Sequence, residues 1–150
     1  MSISPERKLF DSAHAYYLGA TILMKPPSQD SPDHLVQPAM TCASLSLKLY
    51  LKCLHTIDGR DNDDTYLVAE LFRSLKSDVK KLVLEKYDEF ANVSLSEIEL
   101  LNHLEALDSA FIRWRYIRED DARSVNLEDL EEMMLAARAT ILSIRPEWQA

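Results

Sequence analysis

The sequence predicts an all-α protein, a single up-and-down bundle of about five principal helices, with residues 1–150 forming one domain. Three observations carry that expectation. Apolar residues recur at steps of three and four along almost the whole chain, the spacing of a helix face. Glycine occurs only twice in 150 residues, too rarely for the tight turns that strands need. One stretch, Pro38 to Leu54, is apolar around most of its circumference. A surface helix needs an apolar stripe of about 100°. This one carries far more, so it is expected to be the central post, covered on several sides.

Taken in order, Ser4-Pro5-Glu6 reads as a helix start: Ser as N-cap, Pro at the first position, an acid in the first turn. Phe10, Ala13, Tyr17, Ala20 and Met24 then form one stripe, and Lys25-Pro26-Pro27 stops it. Residues 26–37, with three prolines, read as a loop. The central helix follows and ends near Asp58-Gly59. Asp63 or Asp64 can cap the third helix, whose stripe runs through Val68, Leu71, Phe72, Leu75, Val79, Leu82, Val83 and Phe90. That stripe fits one helix of about 40 Å or two joined by a kink near Ser74–Asp78. Ser94–Glu97 and Ser96–Glu99 offer two registers of a capping box for the fourth helix. Its stripe is Leu100, Leu104, Leu107, Phe111 and Trp114, and it reaches to about Arg118. Asn126 caps the last helix, whose stripe is Leu127, Leu130, Met134, Ala137, Ile141 and Ile144, before Pro146. The expected core includes Ala43, Leu47, Tyr50, Leu54, Leu71, Phe72, Leu104, Phe111, Met134 and Ile141.

Hydrophobic residues make up 47% and charged residues 28%, the balance of a folded chain rather than a disordered one. The formal net charge of −8 disfavours a whole-surface grip on nucleic acid or an anionic membrane. No signal peptide or membrane span is legible, because charges interrupt every apolar run; a cytoplasmic location is the expectation. Cys42 and Cys53 share one helix about 16 Å apart and cannot bridge each other. They read as small buried hydrophobes.

Candidate chemistry is sparse. The central helix gathers Thr41, Ser44, Lys48, Lys52 and His55 within about 80° of one another. This polar arc is either a solvated face or a small anion site. The fourth helix turns cationic at its end, through Arg113, Arg115 and Arg118. These arginines either pair with acids such as Glu119, Asp120 and Asp121 or hold a phosphate or a partner carboxylate. His14 and His103 lie at the edges of apolar stripes, and His34 is in a loop. No spacing fits a zinc site, no glycine-rich phosphate loop exists, and no nucleophile–base motif is legible. Catalytic residues, metal and cofactor are therefore not expected.

Two stretches together resemble the HEPN superfamily of α-helical domains. Its second helix reads roughly A-L-E-L-Y-L-K-A-L-L, and Ser46-Leu47-Lys48-Leu49-Tyr50-Leu51-Lys52-Cys53-Leu54 is similar. Its T-H-D-L-x-x-L-F-x-x-L segment is similar to Thr65 through Leu75. A later aromatic-Arg-Tyr segment is similar to Phe111 through Tyr116. The resemblance spans most of residues 10–118. It implies the fold, homodimerisation and a nucleotide or RNA connection. Two departures stand out: Lys48 replaces the family's Glu, and Tyr66 its frequent His. Many members are ribonucleases with an Arg, four to six residues, then a His on a late helix. From Arg115 that position falls at Asp120, Asp121 or Ala122, and from Arg113 at Arg118, Glu119 or Asp120. Arg7 and His14 have the right separation but lie on the first helix.

The resulting expectation is a non-catalytic HEPN-like domain that binds a protein, nucleotide or RNA partner as a homodimer, through Lys48, Lys52, Arg113, Arg115 and Arg118. Trp114 and Trp148 are the candidate interface anchors. The alternatives are a ribonuclease with a non-standard site, built on His14 or His103, and a purely structural homodimer.

Overall fold

A computed structural model describes residues 3–24, 36–59, 67–114 and 127–149. Six α-helices lie among them: α1 (Pro5–Met24), α2 (Val36–Ile57), α3 (Val68–Arg73), α4 (Ser77–Ala91), α5 (Glu97–Trp114) and α6 (Leu127–Ile144). A 3₁₀ turn, Pro146–Trp148, follows. No strand occurs among the described residues, and the molecule is an all-α bundle.

The start and stop signals act as their chemistry dictates. The Ser4 hydroxyl accepts from the Arg7 amide at 3.3 Å. Ser96 and Glu99 close a reciprocal capping box, 3.1 and 3.2 Å, so the second of the two possible registers is the one used. Gly59 takes φ 74 just past α2, and its amide donates to the Thr56 carbonyl at 3.0 Å. Asn92 ends α4 in the left-handed region, φ 55, which asparagine tolerates better than most residues. α2 begins two residues before Pro38. A proline in the first turn loses only an amide that has no helical partner.

The third stripe is two helices. Ser74, Leu75 and Lys76 break it, and Lys76 is extended at φ −63, ψ 152. The start also differs from the expectation, because Leu67 is extended and the helix begins at Val68. Asp63, Asp64 and Asn126 lie outside the described residues, as do residues 25–35.

α1 and α2 form an antiparallel pair. The Cys53 thiol donates to the Glu6 carbonyl at 3.2 Å and the Ser46 hydroxyl to the Ala13 carbonyl at 2.8 Å. A Cβ placed on Gly19 would stand 3.6 Å from Cys42 Sγ. α2 also packs against α6, α3 and α5, while α4 packs mainly on α6 and α5 mainly on α3. The central helix is thus covered on several sides. Ala43, Leu47, Tyr50, Leu51, Cys53 and Leu54 are each 0% exposed. All ten expected core residues are buried, within one continuous apolar cluster. Phe90 departs from its stripe: it is 45% exposed, near the end of α4, while the next residue, Ala91, packs against the core.

Candidate functional site

The polar arc of α2 divides under its neighbours. Thr41 stays exposed, Lys48 and Lys52 are half-buried, and Ser44 and His55 are buried. The arc is therefore not a solvated face. α3 and α5 cover part of it, and the residues they bring up explain its chemistry.

Asp108, on α5, is 7% exposed. Its carboxylate oxygens accept from the Val68 amide at 2.8 Å and the Ala69 amide at 3.0 Å. These are the first two amides of α3. Leu67, at the N-cap, has no side chain that can accept, so Asp108 performs the capping from another helix. Burial raises the Asp108 pKa above the usual carboxylate value, and the nearby Glu105 charge adds to it. The two amides and the Lys48 ammonium oppose the shift without cancelling it. The Lys48 ammonium lies 5.7 Å from the Phe111 ring centroid, within cation–π range.

His55 holds the other end of α3. Its Nε2 lies 2.6 Å from the Leu71 carbonyl oxygen. A carbonyl can only accept, so Nε2 carries the hydrogen. The Ser74 hydroxyl is 3.2 Å from the same nitrogen and donates to the Glu70 carbonyl at 2.7 Å. In an unbroken helix the Leu75 amide would donate to Leu71. Here it donates to Phe72 instead, at 3.1 Å, and the histidine satisfies the released carbonyl. His55 thus explains where the third stripe breaks.

Of the five expected binding residues, Lys48 lies against α5, beside Phe111, and Lys52 is half-buried one turn further along α2. Arg113 belongs to α5 by its backbone, with its side chain outside the described residues. Arg115 and Arg118 lie outside them altogether, as do Asp120 and Asp121. The Trp114 side chain is also outside. Trp148 packs against Phe10, ring centroids 5.4 Å apart, with the Arg7 guanidinium 5.5 Å from its own centroid.

A second polar group, not anticipated from the sequence, forms where α1, α2 and α6 meet. Arg7, Phe10, His14 and Tyr17 make a ladder along α1. Arg7 pairs with Asp11 at 2.9 Å and lies 5.7 Å from the Phe10 centroid. The His14 ring stacks on Phe10 and on Tyr17, at centroid distances of 6.4 and 6.0 Å. Arg138 of α6 acts on this ladder through its charge. Burial first, then Arg138, lowers the His14 pKa, against a raising effect of Asp11. Burial raises the Tyr17 and Tyr50 phenols, and Arg138 opposes both shifts. Burial and the Arg138 charge therefore bias His14 toward its neutral form. His103 lies in a different place, exposed on α5, edge-on to Tyr87 at 6.5 Å. The only sequence signal for the Arg138 corner was Arg138 itself, one cation close to an apolar stripe; the spacing gives no hint of which helix it faces.

Among the described residues, no group of three His, Cys, Asp or Glu could hold a metal ion, and no helix is long and apolar enough to cross a membrane. Comparison with protein-family models, with curated proteins and with solved structures finds no match.

Proposed function

We propose that the protein is a non-catalytic helical binding domain of HEPN-like build, and that the α2–α5 junction at Lys48 and Lys52 receives a compact anion, the phosphates of a nucleotide. The observation that carries this reading is the half-buried Lys48 ammonium beside the Phe111 ring, on the helix whose following residues are Arg113, Arg115 and Arg118. A cation next to an aromatic face in a partly desolvated corner suits a phosphate on a planar base. The global charge of −8 favours a compact anion over a long polyanion, since a local cluster binds the former while the whole surface repels the latter.

Histidine placement supports the non-catalytic part. His55 is the histidine on the α2 arc, and its Nε2 is engaged by the Leu71 carbonyl. His14 is on α1, stacked between two rings. General acid–base chemistry on a phosphate at Lys48 requires a proton donor within about 3 Å; the His55 Nε2 hydrogen is already given to a carbonyl, and His14 and His103 sit against aromatic rings on α1 and α5. The expected homodimer finds support in apolar side chains left in water on α1 and α2: Leu18 is 47%, Ile22 66% and Leu45 36% exposed.

Titration calorimetry with ADP tests the binding reading. Saturable binding is expected, weakened about tenfold or more in Lys48→Gln/Lys52→Gln. Absence of saturable binding, or equal binding by the double variant, would reject it. Metal-free cleavage of RNA that disappears in His14→Phe would instead establish the ribonuclease reading. Sedimentation velocity at high micromolar concentration tests the dimer; a single monomer boundary would rule it out.

A further inference from the structure

A shallow cleft of about 310 Å³ lies over α6, between the end of α4 and the C-terminal turn. Phe90, Leu135 and Leu142 supply apolar walls, and Arg138, Ser143 and Gln149 supply polar ones. None of these residues belongs to the helices that carry Lys48 and Lys52. Phe90 is 45% exposed and Leu135 and Leu142 are half-buried, so the apolar wall is open to an occupant.

Arg138 is the unusual member. Its Nε is buried and has no hydrogen-bond partner among the described residues. No carboxylate pairs with the guanidinium among them either. Glu131, two turns earlier on α6, makes no ion pair with it. A guanidinium stays charged at every physiological pH. Glu131 and Asp11 act on the same rings as Arg138 without touching the guanidinium, and a half-buried cation with no direct ion pair is stabilised by an anion that reaches it.

We propose that this cleft binds a small amphipathic carboxylate, its carboxyl group on Arg138 and its apolar tail along Phe90, Leu135 and Leu142. One planar guanidinium matches one carboxylate through two parallel N–H···O bonds. A phosphate dianion would leave its second charge uncompensated, in a chain whose net charge is already −8. The cleft sits at the small end of the range for ligand pockets, about 300–1,000 Å³. That limits the tail to the scale of a medium-chain alkanoate or a phenylalkanoate. Phe90, Leu135 and Leu142 favour an apolar tail over a hydrophilic acid of the same charge.

The test is calorimetric and NMR titration of the full chain with octanoate, butyrate and octanol. Saturable octanoate binding is expected, with butyrate and octanol each about tenfold weaker or more, and the largest shifts on α4, α6 and the C-terminal turn, with smaller ones at His14 and Tyr17, which feel the Arg138 charge. Arg138→Gln should weaken octanoate about tenfold and leave octanol unchanged. Phe90→Ala, at an exposed site, should narrow the difference between octanoate and butyrate, and it keeps the test decisive where Arg138→Gln alters the fold. Three results would each overturn the proposal: no saturable octanoate binding, octanol binding as tightly as octanoate, or shifts centred on α1 and α2 instead.

Discussion

Two titratable side chains, buried Asp108 and half-buried His14, support the fold in opposite ways with respect to pH. Asp108 accepts two α3 amides, and Asp108→Ala leaves both without their partner. The expected cost is about 1–3 kcal/mol at pH 7, read as a lower urea midpoint with unchanged slope. Its pKa is raised in the fold from 3.8. The stability that comes from this shift is therefore fully present below pH 3.8 and is lost as pH rises through the folded value. The penalty of Asp108→Ala should accordingly grow between pH 7 and pH 4; a penalty that shrinks would contradict the account. His14 works the other way. Its folded pKa is lowered from 6.5, so its contribution is present above pH 6.5 and is lost as pH falls through the folded value. His14→Phe, which keeps the ring stack, should lose less stability than the parent between pH 7.5 and 5.5 in thermal melts. The cysteines differ in a third respect. Burial, with the Glu6 charge, pushes the Cys53 thiol up to about 12, and its side chain is sealed at 0% exposure. A thiolate is the reactive form. Iodoacetamide at pH 8 should therefore leave Cys53 unmodified in native protein and label it after unfolding, as mass spectrometry of peptides would show.

The break between α3 and α4 shows what periodicity can and cannot disclose. Val68, Leu71, Phe72, Leu75, Val79 and Val83 all fall on one stripe and are all buried, which is why the sequence fits an unbroken helix as well as a kinked one. Spacing reports the face a residue occupies and is silent about what covers that face. His55 reaches Leu71 across 16 residues and Asp108 reaches Val68 across 40, and those partnerships exist only once the helices are packed. For the same reason the polar arc of α2 reads as either a solvated face or a small anion site until α3 and α5 are laid on it. Caps, by contrast, are local chemistry, and Ser4, Ser96 and Glu99 were legible from sequence because each acts within one turn. His55→Leu should cost about 1–3 kcal/mol, because the Leu71 carbonyl then keeps only the long 3.4 Å contact from the Ser74 hydroxyl, which is already given to Glu70. A neutral outcome in chemical denaturation would mean that the carbonyl finds another donor.

At the scale of the molecule, α2 is the one helix that touches α1, α3, α5 and α6, and truncation at its centre is felt by all of them. Leu47 is fully buried, so Leu47→Ala should cost about 2–5 kcal/mol, measured by equilibrium unfolding. The central post was legible because apolar residues cover most of its circumference. The Arg138 corner was not, because a single cation near a stripe has the same spacing whether it faces water, an acid or an aromatic ladder.

α3 has only six residues, far below the about 12–15 at which a helix begins to persist alone in water. Both of its ends are fastened by side chains of other helices, Asp108 at the first turn and His55 at the last. It has no independent existence, and it cannot fray from either end without releasing a bond to the core. In native-state hydrogen exchange, its amides should therefore open only with the global transition, as slowly as those at the middle of α2, even though Glu70 and Arg73 face water. In Asp108→Ala the Val68 and Ala69 amides should exchange by local opening while α2 keeps its protection. The shortest helix would then be the most direct reporter of whether the whole bundle is closed.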